Sequence, residues 1–388
     1  MSIDLLVRGG RLWDESIGMN GVGDVAIEGD RIVAAGSTAA GPSSAAPTAA
    51  DRARRILDVT GCLVLPGLID LHAHPGPEHS RYGVQPDVEF LPRGVTTVLS
   101  QGDAGADTWP WFREGVIESS RSRVRLAINL SRAGESGDRP CFEELADADV
   151  EACVQAVREG GELIWGIAVN THAILTGAND PREIMARGLA VAEVTDRPLL
   201  VGSRRASDWS LDNQLRWLRP GDVLTYCFQG EAEAIVQNGH VRTSALEARR
   251  RGVLFDVGHG MSSFDFGVAE AAIREGFPPD TISTDQYVRH VGSRPQHDLP
   301  RTISKLLAAG MPPADAFRAA TATPAAVLGL APWIGTLAPG ACADLAVLRW
   351  NPDAEPLLDT AGAERPGGCW EPILTIRAGA VVELLPAP

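Results

Sequence analysis

The chain has 388 residues, 44% of them hydrophobic and 22% charged, enough to bury a full core as one large domain or two. A formal net charge of −15 repels polyanions, which excludes nucleic acid and an anionic membrane as principal partners. The start MSIDLLVRGG shows no secretory pattern and no window approaches a membrane span, while Cys62, Cys141, Cys153, Cys227, Cys342 and Cys369 are scattered with no CxxC pair. Reduced core cysteines and a cytoplasmic protein are the expectation.

The first predicted elements are short strands. Ile3 to Gly10 ends in a turn, and Asp24 to Asp30 runs through Gly29-Asp30 directly into Arg31 to Gly36, a hairpin signal. Gly36 to Asp51, rich in Ala, Gly, Ser, Pro and Thr, reads as a flexible loop. From there the rhythm changes to short apolar runs alternating with longer amphipathic ones. Strand-like pieces occur at residues 63–65, 96–99, 126–130, 166–169, 199–201, 223–226, 253–257 and 281–285, with helical candidates at 145–158, 182–195, 244–250 and 266–275. Asp353 to Gly368 reads as a second surface excursion, and Ala343–Leu348, Ile373–Arg377 and Gly379–Leu384 as closing strands.

Strand and helix alternating about eight times is the pattern of a (β/α)8 TIM-like barrel, an α/β fold. The runner-up, an open doubly wound sheet, lacks a Gly-rich phosphate fingerprint after its first strand. Isolated hairpins are marginal in water, so strands at both termini are expected to share a small β-sandwich domain. The division is 1–60 and 335–388 for that domain and 61–334 for the barrel.

Catalytic residues of such barrels sit at the C-terminal ends of the strands. Leu71-His72-Ala73-His74 follows the first apolar run. Histidines at i and i+2 on a strand end share a face and can grip one divalent cation; two unrelated histidines is the plainer alternative. Ser283-Thr284-Asp285 ends the last run, where Asp285 can ligate the same ion and take a proton from the attacking water. Its plainer alternative is a helix N-cap.

Gly67-Leu68-Ile69-Asp70-Leu71-His72-Ala73-His74, Arg93-Gly94-Val95-Thr96-Thr97-Val98, Ser283-Thr284-Asp285, Ala322-Thr323-Pro324-Ala325 and Gly335 to Leu345 together resemble the amidohydrolase superfamily. Leu218 to Phe228 and Leu254 to Gly260 are similar to its deacetylase branch, related to dihydroorotase. The resemblance spans nearly the whole chain. It implies a barrel with a flanking β-sandwich and hydrolysis of an amide, cyclic amide or ester bond of a small molecule by metal-activated water.

Relatives of that branch hold two metals with a carboxylated lysine on strand four and a histidine after each of strands five and six. This chain has Ala168, Gly202 and Tyr226 there. Alanine and glycine have no ligating atom, and tyrosine is a poor ligand unless ionised. The expectation is therefore a single divalent ion, zinc first, held by His72, His74 and Asp285. Asp285 and Tyr226 are the catalytic candidates, Tyr226 as a donor to the carbonyl oxygen.

His172, Arg204, Arg205, His259, Arg289 and His290 are candidate substrate contacts, the arginines for a carboxylate. Arg204 and Arg205 have rim ion pairs as their alternative, and His172 a plain loop role. Cys227 is expected in the barrel wall, and Glu78 and His79 in the first loop. Two other functions compete with hydrolysis: a ring deaminase, against which Gly202 counts, and a non-catalytic relative that binds a ligand or partner, against which His72, His74 and Asp285 count. Assembly into a homo-oligomer is compatible with all three.

Overall fold

The computed structural model describes residues 3–36, 49–77, 80–137 and 139–382. Most of the Gly36–Asp51 loop, the last two residues of the final predicted strand, and both Glu78 and His79 lie outside the described residues.

The strands of the two termini join in one sheet. Its order runs Ala380–Val382, Cys369–Arg377, Leu345–Asn351, Leu63–Pro66, Ile3–Asp14, Met19–Glu28 and Arg31–Gly36, with Ala53–Asp58 paired beside Ile3–Asp14. The predicted hairpin turns at Gly29, which has φ +58° and there needs no Cβ. Leu63–Pro66, expected as a barrel strand, instead lies between Ile3–Asp14 and Leu345–Asn351 in this sheet. Its residues are all buried, so a continuous apolar run could not tell one sheet from the other.

The barrel strands, first to seventh, are Leu68–Ala73, Val95–Gln101, Arg123–Asn129, Ile164–Asn170, Leu199–Gly202, Val223–Thr225 and Leu254–Phe255, neighbours pairing in parallel. The eighth segment, residues 281–286, bridges to Asp256 through Thr281 and to Ala73 through Gln286, which completes the circuit. Ile69, Leu71, Leu99, Ala127, Ala168, Leu200 and Val223 pack together in one buried cluster.

Helices start where a side chain meets free amides. Asp149 accepts from Ala152 N at the head of Val150–Gly160, Asp180 from Arg182 N before Pro181–Thr195, and Asp298 from Arg301 N before Leu299–Ala308. Arg123 and Asp344 form a buried ion pair at 2.8 Å that ties the third barrel strand to the terminal sheet. The Asp353–Gly368 excursion is docked rather than free. Asp359 accepts from Phe266 N at 3.0 Å, and Thr360 N donates to Phe264 O at 3.0 Å.

Candidate metal centre

His72 is the last residue but one of the first barrel strand and His74 lies just beyond it. Asp285 sits at the matching end of the eighth segment with φ +51°, and its N–H donates to His72 O at 2.7 Å. Buried Asp70 stitches the two segments together, accepting from His72 N (3.2 Å), Thr284 N (3.1 Å) and Thr284 Oγ1 (2.5 Å). Burial pushes its carboxyl up to about 7.

Asp285 Oδ1 lies 3.4 Å from His72 Nε2 and 3.2 Å from His74 Nε2. The other ring nitrogens face acceptors. His72 Nδ1 meets Thr225 Oγ1 at 2.7 Å, and that hydroxyl donates to Asp256 at 2.8 Å. Asp256 also accepts from Thr281 and Ser283. His74 Nδ1 meets Asp103 Oδ1 at 3.0 Å and Glu135 Oε2 at 3.3 Å. These partners place a ring proton on each Nδ1 and turn each Nε2 toward the Asp285 carboxylate. Two imidazole nitrogens and a carboxylate oxygen drawn together in this way are a candidate ligand set for one divalent cation.

The same contacts set the protonation of the cluster. Burial alone would raise the Asp285 carboxyl, but the charges and hydrogen bonds of His72 and His74 outweigh it and hold it well below the usual range. Burial disfavours the charged form of His74, yet Glu135 and Asp103 pull it well above its ordinary value. A metal ion would compete with that proton for Nε2. Glu135 is pushed up to about 8 by burial, and its Oε2 has no hydrogen-bond partner.

Tyr226, at φ +62°, places its hydroxyl 3.2 Å from His72 Nε2. Burial and the Asp285 charge push the phenol well above its ordinary value, so it remains a neutral donor. Gly260 has φ +48°, and a Cβ there would collide with Asp285 Oδ2; glycine keeps that oxygen clear. A Cβ on Gly202 would lie 2.6 Å from Asn170 Cγ, so the Asn170 side chain fills the space beside this altered ligand position. Cys227 is buried among the apolar residues that surround the barrel strands.

A cavity of about 220 Å³ opens beside the triad and is lined by Tyr226, Glu135, His172, Arg205 and Arg289 among others. Arg205 lies over the Tyr226 ring at 5.0 Å and is held by Glu231 and Ser263. His172 Nδ1 accepts from Ile174 N at 3.3 Å, and burial and Arg205 lower its pKa. Arg204 does not line this cavity. Its guanidinium pairs with Asp208 and donates to Thr176 Oγ1 at 3.0 Å, because a carboxylate four residues on in the same loop is the nearer partner. His259 and His290 line a second cavity. Asp103, Glu135, Thr225 and Asp256 were missed by sequence reasoning. Asp103 and Asp256 stand just past strand ends, so the strand-end rule could have found them; Glu135 lies in a loop with no spacing signal.

The amidohydrolase family model matches residues 265–369. A deacetylase of Enterococcus faecalis is 31% identical over 371 residues, 94% of this chain and 95% of that protein. A deacetylase of Agrobacterium fabrum is 34% identical over 313 residues, 79% of this chain and 74% of its own length. Among solved structures, an adenine deaminase superposes with TM-score 0.85 at 28% identity, covering 98% of this chain and 99% of its own. A dihydroorotase superposes with TM-score 0.83 at 29% identity, covering 97% and 98%.

The chain belongs to the amidohydrolase superfamily, a class of TIM-barrel enzymes. It is a deacetylase-like, metal-dependent hydrolase acting on amide C–N bonds.

Proposed function

We propose that the protein hydrolyses an amide, cyclic amide or ester of a small carboxylate-bearing molecule, using a single divalent ion, zinc first. The observation that carries this is the convergence of His72 Nε2, His74 Nε2 and Asp285 Oδ1, with both Nδ1 atoms already engaged. His72, His74 and Asp285 would hold a divalent cation, which when bound would lower the pKa of a water and polarise the substrate carbonyl. Asp285 stays ionised, turning Oδ1 to the histidines and leaving Oδ2 beside Gly260 to take the water's proton and pass it to the leaving group. Tyr226 O–H donates to the carbonyl oxygen as charge develops. Asp256 and Thr225 orient His72, and Asp103 orients His74. Arg205, Arg289 and His172 face the cavity that would hold the substrate's carboxylate.

Deacetylation fits better than ring deamination. The deacetylases match at 31–34% identity across most of their length, whereas an adenine deaminase of Brucella anthropi matches at 27% over 55% of its own, and Gly202 offers no ligand. We further propose that the terminal sheet is a small β-sandwich domain, 1–60 and 335–388, which also takes Leu63–Pro66 out of the 61–334 segment whose remainder is the barrel. Six unpaired, buried cysteines support a cytoplasmic location.

The test pairs metal content with hydrolysis of N-acyl amino acids, cyclic amides and acyl esters. Asp285→Asn should lose about 10²–10⁴-fold in rate while keeping much of the metal, and His72→Ala should lose both. Full activity in Asp285→Asn would place the base elsewhere, and two bridged metals seen by anomalous scattering would end the single-ion reading.

A further inference from the structure

A second cavity, of about 260 Å³, lies behind the metal triad and is lined by His259, His290, His297, Arg301 and Lys305. Gly260 and Met261 form part of its wall, and Met261 lines the first cavity as well. Asp359 lines it as well, its carboxylate held by backbone N–H groups. His290 Nδ1 accepts from Tyr287 N at 3.3 Å, which assigns the ring proton to Nε2. That N–H is buried and has no acceptor. Arg301 Nη1 is likewise buried without a partner. Lys305 is 6% exposed, and its Nζ donates to His259 Nε2 at 2.7 Å while His259 Nδ1 donates to Gly260 O.

No carboxylate of the described residues forms an ion pair with Arg301 or Lys305, whereas Arg204 and Arg205 are paired with Asp208 and Glu231. The nearby acids are otherwise engaged. Asp359 accepts from Phe266 N, Ala361 N and Ala363 N, and Asp298 caps its helix through Arg301 N. Two cations and a stranded imidazole N–H thus face a cavity whose lining carboxylate, Asp359, makes no ion pair with either cation.

We propose that this cavity is an oxyanion site, taking a carboxylate or phosphate group that accepts from His290 Nε2, Arg301 Nη1 and Lys305 Nζ. Buried donors without acceptors carry a desolvation cost that such a ligand removes, and charge-assisted bonds to it are the strong kind. Burial and Arg301 pull Lys305 down to about 8; a bound anion would favour its charged form. His259 is a positioning residue that holds the ammonium. His297 donates to Thr284 O at 2.9 Å, next to Asp285, which links the site to the triad by one residue.

The group could belong to the substrate or to a free anion. Inorganic phosphate and acetate are titrated into the metal-loaded protein, with binding followed by calorimetry and by thermal shift, so the readout needs no hydrolysis and stands apart from the proposed reaction. Saturable binding is expected, weakened at least tenfold in Lys305→Met and in Arg301→Gln, the latter on a less buried side chain that keeps the fold if Lys305→Met does not. Competition with substrate, with a raised KM and unchanged kcat in Arg301→Gln, assigns the site to the substrate's own anionic group. Binding that leaves substrate affinity unchanged assigns it to a separate anion. No saturable binding, or equal affinity in both variants, overturns the proposal.

Discussion

Lys305→Met tests how the second cavity is built. The folded protein holds Lys305 near 8 instead of the usual 10.5. Each unit is worth about 1.4 kcal/mol, so keeping the ammonium buried costs about 3 kcal/mol at pH 7. The sign follows from proton counting. Below about 8 both folded and unfolded chains carry the proton and the cost is complete. Between about 8 and 10.5 the unfolded chain binds more protons, so stability rises with pH until the cost disappears. Methionine keeps much of the volume but cannot titrate. It also strands His259 Nε2, a loss of about 1–3 kcal/mol that does not depend on pH in this range. The measurement is therefore a difference of differences: urea unfolding of wild type and variant, at pH 7 and at pH 10, in buffer free of phosphate and carboxylates. Relative to wild type, the variant should be about 2–3 kcal/mol more favoured at pH 7 than at pH 10, with unchanged denaturant dependence. An equal gap at both pH values would refute the claim that burial depresses this lysine.

Restoring histidine by Gly202→His should fail to add a metal ligand and should destabilise by about 1–3 kcal/mol, because its Cβ would meet Asn170 Cγ at 2.6 Å; adding Asn170→Gly should recover the stability, as read by thermal unfolding. Glu135 is raised to about 8, so its contribution to stability is complete below about 4.5 and is lost as pH rises through 8; Glu135→Gln should flatten that decline in a stability–pH profile. Gly260→Ala should lower metal content and activity together, since its Cβ collides with Asp285 Oδ2; a fully metallated, active variant would show that this carboxylate has room to move.

The barrel and the heart of the site were legible because their signals are short-range. His72 and His74 lie two residues apart at a strand end, and Asp285 closes the last apolar run. What was illegible depends on convergence between distant segments. His259 and Lys305 are 46 residues apart, and a lysine within Leu299–Ala308 looks in sequence like any solvated helix position until the fold buries it. Glu135 reaches His74 from a loop after the third strand. Arg204 and Arg205 are adjacent, and only the fold decides that one serves the rim and the other faces the cavity.

The altered ligand positions show why counting missing atoms is a weaker argument than geometry. Read as losses, Ala168, Gly202 and Tyr226 leave a broken cage. In three dimensions two of these places are occupied: Asn170 fills the space beside Gly202, and Tyr226 sets its hydroxyl 3.2 Å from His72 Nε2. Had the site only decayed, the supports of the remaining ligands would have no reason to persist. Instead Asp256 gathers Thr225, Thr281 and Ser283 behind His72, and Asp103 is held by Ser100 at 2.7 Å behind His74. Buried carboxylates of this kind are costly unless the imidazoles they steer have work to do. Side chains that support the three converging ligand atoms favour a retained metal site over a decayed one.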